Sequence, residues 1–124
     1  MRAHLLLLLA SLAGCARPAT VSGDDLGRLT AGRTAGPAQS CVLAGNNDSL
    51  RAVDSMTVAY GSGRTVYINH LGARCPGLQD LSTIIVDVQS GRYCRGDRIR
   101  AVETGAIIPG PSCNLSDWVP YKIR

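Results

Sequence analysis

The chain has 124 residues, 45% of them hydrophobic, with no Phe, one Trp and four Tyr, and a formal net charge of +4. That length allows one small domain, and that composition requires a core of Val, Ile and Leu rather than of aromatic rings. Thirteen basic residues against nine acidic ones, with so few aromatics, are too small an excess for a nucleic-acid binder.

The first fifteen residues have the layout of a secretion signal. Arg2 and the amino terminus supply a positive start, and Leu5 to Leu12 form an apolar run too short to span a bilayer. The run ends in Leu12-Ala13-Gly14-Cys15, which resembles the lipobox of bacterial lipoproteins. The resemblance implies that residues 1–14 are removed and that Cys15 carries the acyl chains, so the odd cysteine of five is an anchor to the membrane. An ordinary signal cut after Ala13 or Gly14 would instead leave Cys15 as a free thiol. Several acyl chains hold far better than one. Ala16 stands where an inner-membrane retention signal would place Asp, so the implied location is a Gram-negative cell envelope, at the outer membrane facing the periplasm. No later segment is apolar enough to cross a membrane.

Residues 16–40 are rich in Gly, Ala, Thr, Ser and Pro and show no apolar period. A lipidated flexible tether over 15–40 is therefore expected, with a reach of roughly 25–30 Å. A short helix around Asp25–Leu29 is the one element that the pattern permits.

Residues 41–124 then form the domain. A chain this short buries too little surface to be comfortable on packing alone. Cys41, Cys75, Cys94 and Cys113 are available to supplement it, and an even count in an exported domain implies two disulfides. Three pairings are possible. Cys75–Cys94 nested inside Cys41–Cys113 is the preferred one, with stabilisations on the order of 3 and 4–5 kcal/mol. Zinc is disfavoured, because no Cys-x-x-Cys knuckle occurs and His70 is the sole histidine after the signal. No cofactor is expected.

The periodicity is of strand type. Met56, Val58 and Tyr60 alternate with Thr57 and Ala59, Gly61-Ser62-Gly63 turns the chain, and Val66, Ile68 and His70 return as a hairpin. Ile84, Val86 and Val88 share a face, Ser90-Gly91 turns, and Arg92 to Val102 run back with Arg98 and Arg100 facing water. Val119, Tyr121 and Ile123 share one face of a last strand, while Ser49 to Asp54 is ambiguous between helical turn and strand. The expected fold is mainly β, a small disulfide-stabilised antiparallel barrel or sandwich, with α+β carrying one short helix as the alternative.

On those elements sit Cys75-Pro76-Gly77-Leu78, Cys94-Arg95-Gly96-Asp97-Arg98-Ile99 and a fourth cysteine, Cys113, before the last strand. With Cys41 and the lipobox, this set resembles a family of small exported bacterial proteins classed as a domain of unknown function, over roughly Cys41 to Arg124. The resemblance implies a disulfide domain in the envelope and carries no activity, substrate or cofactor with it. Each motif also has a structural meaning. Pro76-Gly77 suits the centre of a type II turn, and the Asp97 carboxylate suits acceptance of backbone N–H bonds in a tight turn.

Catalysis is not expected. After the signal the chain offers one histidine, His70, no nucleophile elbow or metalloprotease motif occurs, and Asp80 and Asp87 would act as an acid–base pair only if folding brought them together. The candidate binding residues are Arg92, Arg95, Arg98 and Arg100, which suit phosphate or carboxylate groups, together with Trp118 and Tyr121. If Val119 and Tyr121 point inward, Trp118 points outward as a partner-binding anchor; the alternative is that it covers an open barrel end. From Cys41 onward nine basic residues face seven acidic ones. The resulting expectation is an anchored binding or accessory module for an envelope protein or cell-wall component, with a passive structural lipoprotein as the alternative.

Overall fold

The alternating segments become ten strands and one helix in the computed structural model of the chain, which describes residues 23–45, 48–88 and 90–124. The helix α1 spans Gly23–Thr30 and β1 spans Arg33–Ala35, followed by β2 Cys41–Leu43, β3 Arg51–Asp54, β4 Thr57–Tyr60 and β5 Thr65–His70. The second half holds β6 Thr83–Val86, β7 Arg92–Cys94, β8 Arg98–Val102, β9 Cys113–Asn114 and β10 Trp118–Ile123. A five-stranded sheet runs β1-β10-β5-β4-β3, a two-stranded sheet joins β2 and β7, and a three-stranded sheet runs β6-β8-β9. Every pairing is antiparallel. The fold is thus mainly β with one short helix, as expected, but the sheets do not close into a barrel. Strands β3 and β6 run beside each other without sharing a ladder, which leaves a seam.

Both faces of the five-stranded sheet are covered. Val58, Tyr60 and Trp118 on one face meet Val42 of β2, Ile99 and Ala101 of β8, and the loop residues Leu71, Leu78 and Leu115. Val53, Ala59, Val66 and Ile68 on the other face meet Leu26 and Leu29 of α1. Hence Thr57 to Tyr60 are all buried, where one-sided alternation would leave half of them wet. The ambiguous Ser49–Asp54 segment resolves as a strand with a bulge between Ala52 and Asp54.

The boundary expected at residue 41 falls inside this fold. Helix α1 and β1 both belong to it, β1 pairs Arg33 with Ile123 and Ala35 with Tyr121, and Gln39 bridges Trp118. Composition concealed this for a physical reason. An eight-residue helix is marginal alone and here rests on two leucines, while β1 joins through its backbone ladder, which any residue type but proline can supply. Residues 1–22, with the signal and Cys15, lie outside the described residues.

The first hairpin turns where expected. Gly61 has φ +86° and a Cβ there would come within 3.0 Å of the Thr65 carbonyl, so only glycine fits without a shift. Cys75-Pro76-Gly77-Leu78 is a turn closed by the Leu78 N–H donating to the Cys75 carbonyl at 3.1 Å, with Gly77 at φ +79°. The Asp97 carboxylate accepts from the Cys94 N–H at 2.8 Å.

The second expected hairpin is corrected. Arg92 to Val102 is not one strand, because the chain turns at Cys94–Asp97, where the Asp97 N–H donates to the Cys94 carbonyl at 3.0 Å. Strand β7 goes to β2 and β8 goes to β6. That turn also corrects the disulfide pairing. Cys94 lies directly opposite Cys41 in the β2–β7 ladder, and the two are bonded with Cα atoms 4.0 Å apart. Cys75 is bonded to Cys113 of β9, with Cα atoms 5.8 Å apart. The bridges therefore interleave along the chain, where nested loops were expected.

Asn69 joins two distant segments inside the core. It is fully buried; its Nδ2 donates to the Ser116 carbonyl at 2.7 Å and its Oδ1 accepts from the Ser116 N–H at 2.9 Å. Asn69→Asp keeps the shape but replaces the donor with a second acceptor against that carbonyl. A loss of about 3 kcal/mol is expected, seen as a lower urea midpoint with unchanged slope. An unshifted midpoint would show that this pair contributes nothing.

Candidate binding surface

The four candidate arginines divide between two sheets. Arg92 stands opposite Leu43 at the end of the β2–β7 pair, and Arg95 occupies the following turn, 3.4 Å from Asp117. That ion pair is largely exposed and holds little. Arg98 and Arg100 lie on β8, where Ile99 and Ala101 point into the core, so both arginines face solvent as expected.

Around them is the outer face of the three-stranded sheet. Arg100 sits across from Ile85 of β6, which is 44% exposed, and its Nε donates to the Ser112 hydroxyl at 3.2 Å. Arg98 sits across from Asn114 of β9. Asp87, just past β6, donates its N–H to the Arg98 carbonyl at 3.3 Å. The face thus offers two guanidinium groups flanked by an apolar side chain and by hydroxyl and amide groups. Such an array can take carboxylate or phosphate oxygens bidentately while Ile85 meets an apolar part of the same ligand.

Trp118 belongs to no surface. It is 0% exposed, and its indole Nε1 donates to the Tyr93 carbonyl at 3.1 Å. Its ring lies edge-on to Tyr60, 6.3 Å between centroids, and Tyr60 in turn meets Tyr93 edge-on at 5.1 Å. Burial, and next to it the Tyr60 hydroxyl, raise the Tyr93 pKa above the usual tyrosine value. Of the two readings of Trp118, the outward anchor is corrected: the side chain is enclosed, and it packs inside the core, not over a barrel end. Alternation identified two faces, but both faces of β10 are covered. Tyr121 is half-buried against the helix-side cluster and is not brought to the arginines.

The remaining candidates are dispersed. His70 is exposed at the end of β5, with its Nδ1 3.5 Å from the Thr57 hydroxyl. Asp80 precedes β6 and Asp87 follows it, so folding places them at opposite ends of one strand. Beside the seam a groove of about 580 Å³ is lined by Asp25, Asp54, Asp80, Glu103 and Arg74, among others, and an adjoining recess of about 390 Å³ by Leu29, Leu50, Arg51 and Leu81. The Asp54 carboxylate is already engaged by the Met56 N–H at 2.7 Å. Among the described residues no three His, Cys, Asp or Glu side chains are placed to hold a metal ion.

One exposed group escaped the sequence reading. Leu81, Ile107 and Ile108 are 80%, 93% and 78% exposed. The signal was present in Ile107-Ile108-Pro109-Gly110-Pro111, two β-branched residues inside turn composition, where no strand can bury them.

No protein-family model, no curated protein and no solved structure matches this chain.

Proposed function

We propose that this chain is a lipid-anchored protein of the bacterial envelope, held through Cys15, whose disulfide-linked β domain is a non-catalytic binding or accessory module. The lipobox-like Leu12-Ala13-Gly14-Cys15 and the motif resemblance support the location. The observation that carries the binding role is the solvent-facing placement of Arg98 and Arg100 beside the half-exposed Ile85 on the outer face of the three-stranded sheet. A partner with carboxylate or phosphate groups, either an envelope protein or a cell-wall component, matches that face.

Arg98→Glu with Arg100→Glu is the direct test, because both side chains are exposed and the exchange leaves the core intact. Crosslinking from intact envelopes followed by mass spectrometry should recover a partner with the unaltered protein, and at least tenfold less of it with the variant, since two charge-assisted contacts together exceed about 1.4 kcal/mol. Equal recovery would remove this face from the function. No partner at all, from protein shown to be folded, would favour a passive structural lipoprotein.

A further inference from the structure

Helix α1 and β1 shorten the leash between the domain and its anchor. Seven residues separate Cys15 from Gly23, the first residue of α1. Even fully extended, such a stretch spans at most about 25–30 Å, less than the width of a domain this size. With Cys15 acylated, the first turn of α1 stays within that distance of the bilayer, which favours this end of the molecule, over the opposite one, for contact with the surface. Asp25 in that turn lines one groove with Asp80 and Glu103, and the adjoining recess with Leu81. These residues mark the end of the three-stranded sheet where β6 begins and β8 stops, since Thr83 pairs with Val102.

The exposed apolar residues project from this same end. Leu81 lies two residues before β6, at φ +65°, a conformation that non-glycine residues seldom adopt. The loop after β8 carries Ile107 and Ile108 and is closed at its base by the Gly110 N–H donating to the Ala101 carbonyl at 2.8 Å, with an inner turn from the Ala106 N–H to the Glu103 carbonyl at 2.9 Å. The Thr104 hydroxyl donates to the Leu81 carbonyl at 3.2 Å and ties the two projections together. The result is an apolar tip held in shape by hydrogen bonds at its base.

We propose that Leu81, Ile107 and Ile108 insert into the interface of the bilayer that holds the acylated Cys15, giving the domain a second membrane contact and a set orientation. The inference rests on the anchored reading above. Apolar side chains on a stiff loop gain by leaving water for the headgroup–acyl boundary, and tethering makes that contact intramolecular, so weak insertion suffices. Asp80 and Glu103 beside the tip would be repelled by anionic headgroups, so a zwitterionic surface is the matching one.

The test places a reporter at the tip. Ile107→Trp and, as control, Leu43→Trp, 71% exposed on the separate β2–β7 pair, are made in the acylated full protein. Each is reconstituted into zwitterionic vesicles with brominated acyl chains, and its emission is compared with that of the parent protein, whose Trp118 is buried. The expected result is a blue shift and loss of most of the added emission for Ile107→Trp, and neither for Leu43→Trp. Acylated protein in which Ile107→Trp is not quenched would overturn the second contact while leaving the anchor standing. A blue shift without quenching would overturn it too, by showing that protein, such as a second copy, covers the tip. Intact mass of membrane-extracted protein showing an unmodified Cys15 would overturn the anchored reading and this inference with it.

Discussion

Replacing Cys75 and Cys113 together by alanine is expected to destabilise the domain by about 4 kcal/mol through released chain entropy, and by more once packing is counted. The bridge spans 38 residues, and Cys75 is 1% exposed within the main hydrophobic cluster, so its loss also leaves a gap. Replacing Cys41 and Cys94 opens a longer span of 53 residues, yet the entropy term rises only with the logarithm of length and stays at about 4 kcal/mol. Both of those cysteines are only half-buried. Urea midpoints should therefore rank the unaltered protein above the Cys41/Cys94 variant, and that above the Cys75/Cys113 variant, which approaches the whole stability of about 5–15 kcal/mol typical of a domain. The reverse ranking would show that loop length outweighs core packing. Peptide mapping without reductant gives an independent check: it should recover Cys41 joined to Cys94 and Cys75 joined to Cys113, and a Cys75–Cys94 peptide would refute the interleaved arrangement.

Trp118→Ala is the second large effect. The side chain is fully enclosed and caps the tyrosine cluster of Tyr60, Tyr67 and Tyr93. Its removal is expected to lose about 3–5 kcal/mol, and to leave the Tyr93 carbonyl without the indole N–H that it accepts from. Trp118→Phe retains part of the ring volume and should lose less. Thermal unfolding separates this role from that of a surface anchor, because a surface anchor would leave the melting temperature in place and reduce only partner capture. An unchanged melting temperature in Trp118→Ala would sink the buried assignment.

Sheet faces were readable where one side of a strand met solvent. On β8 the alternation of Arg98 and Arg100 with Ile99 and Ala101 stated which side was wet, because a charged side chain rarely has an inward alternative. On β10 the same rule failed. Trp118, Val119, Pro120 and Tyr121 offer apolar groups to both sides, and in the register with β5, Trp118 opposite Asn69 and Tyr121 opposite Val66, Trp118 joins one cluster and Tyr121 packs against the other. The four arginines looked like one basic strand for a related reason. Asp97 was recognised as a turn residue, but nothing local says that a turn sends β7 and β8 to different sheets.

The features legible in the residues alone were local: strands from period-two alternation, turns from Pro76-Gly77 and Asp97, the outward arginines of β8, and the need for two bridges in a small core without Phe. These follow from backbone sterics, side-chain polarity and size, which act within a few residues. Long-range packing set the rest: which cysteines meet, that residues 23–40 belong to the domain, that Trp118 is buried, and that the apolar tip and the first turn of α1 share one end of the molecule. Each of those depends on ladder pairings between segments tens of residues apart. Backbone N–H and C=O groups make those ladders, and they are the same in every residue except proline.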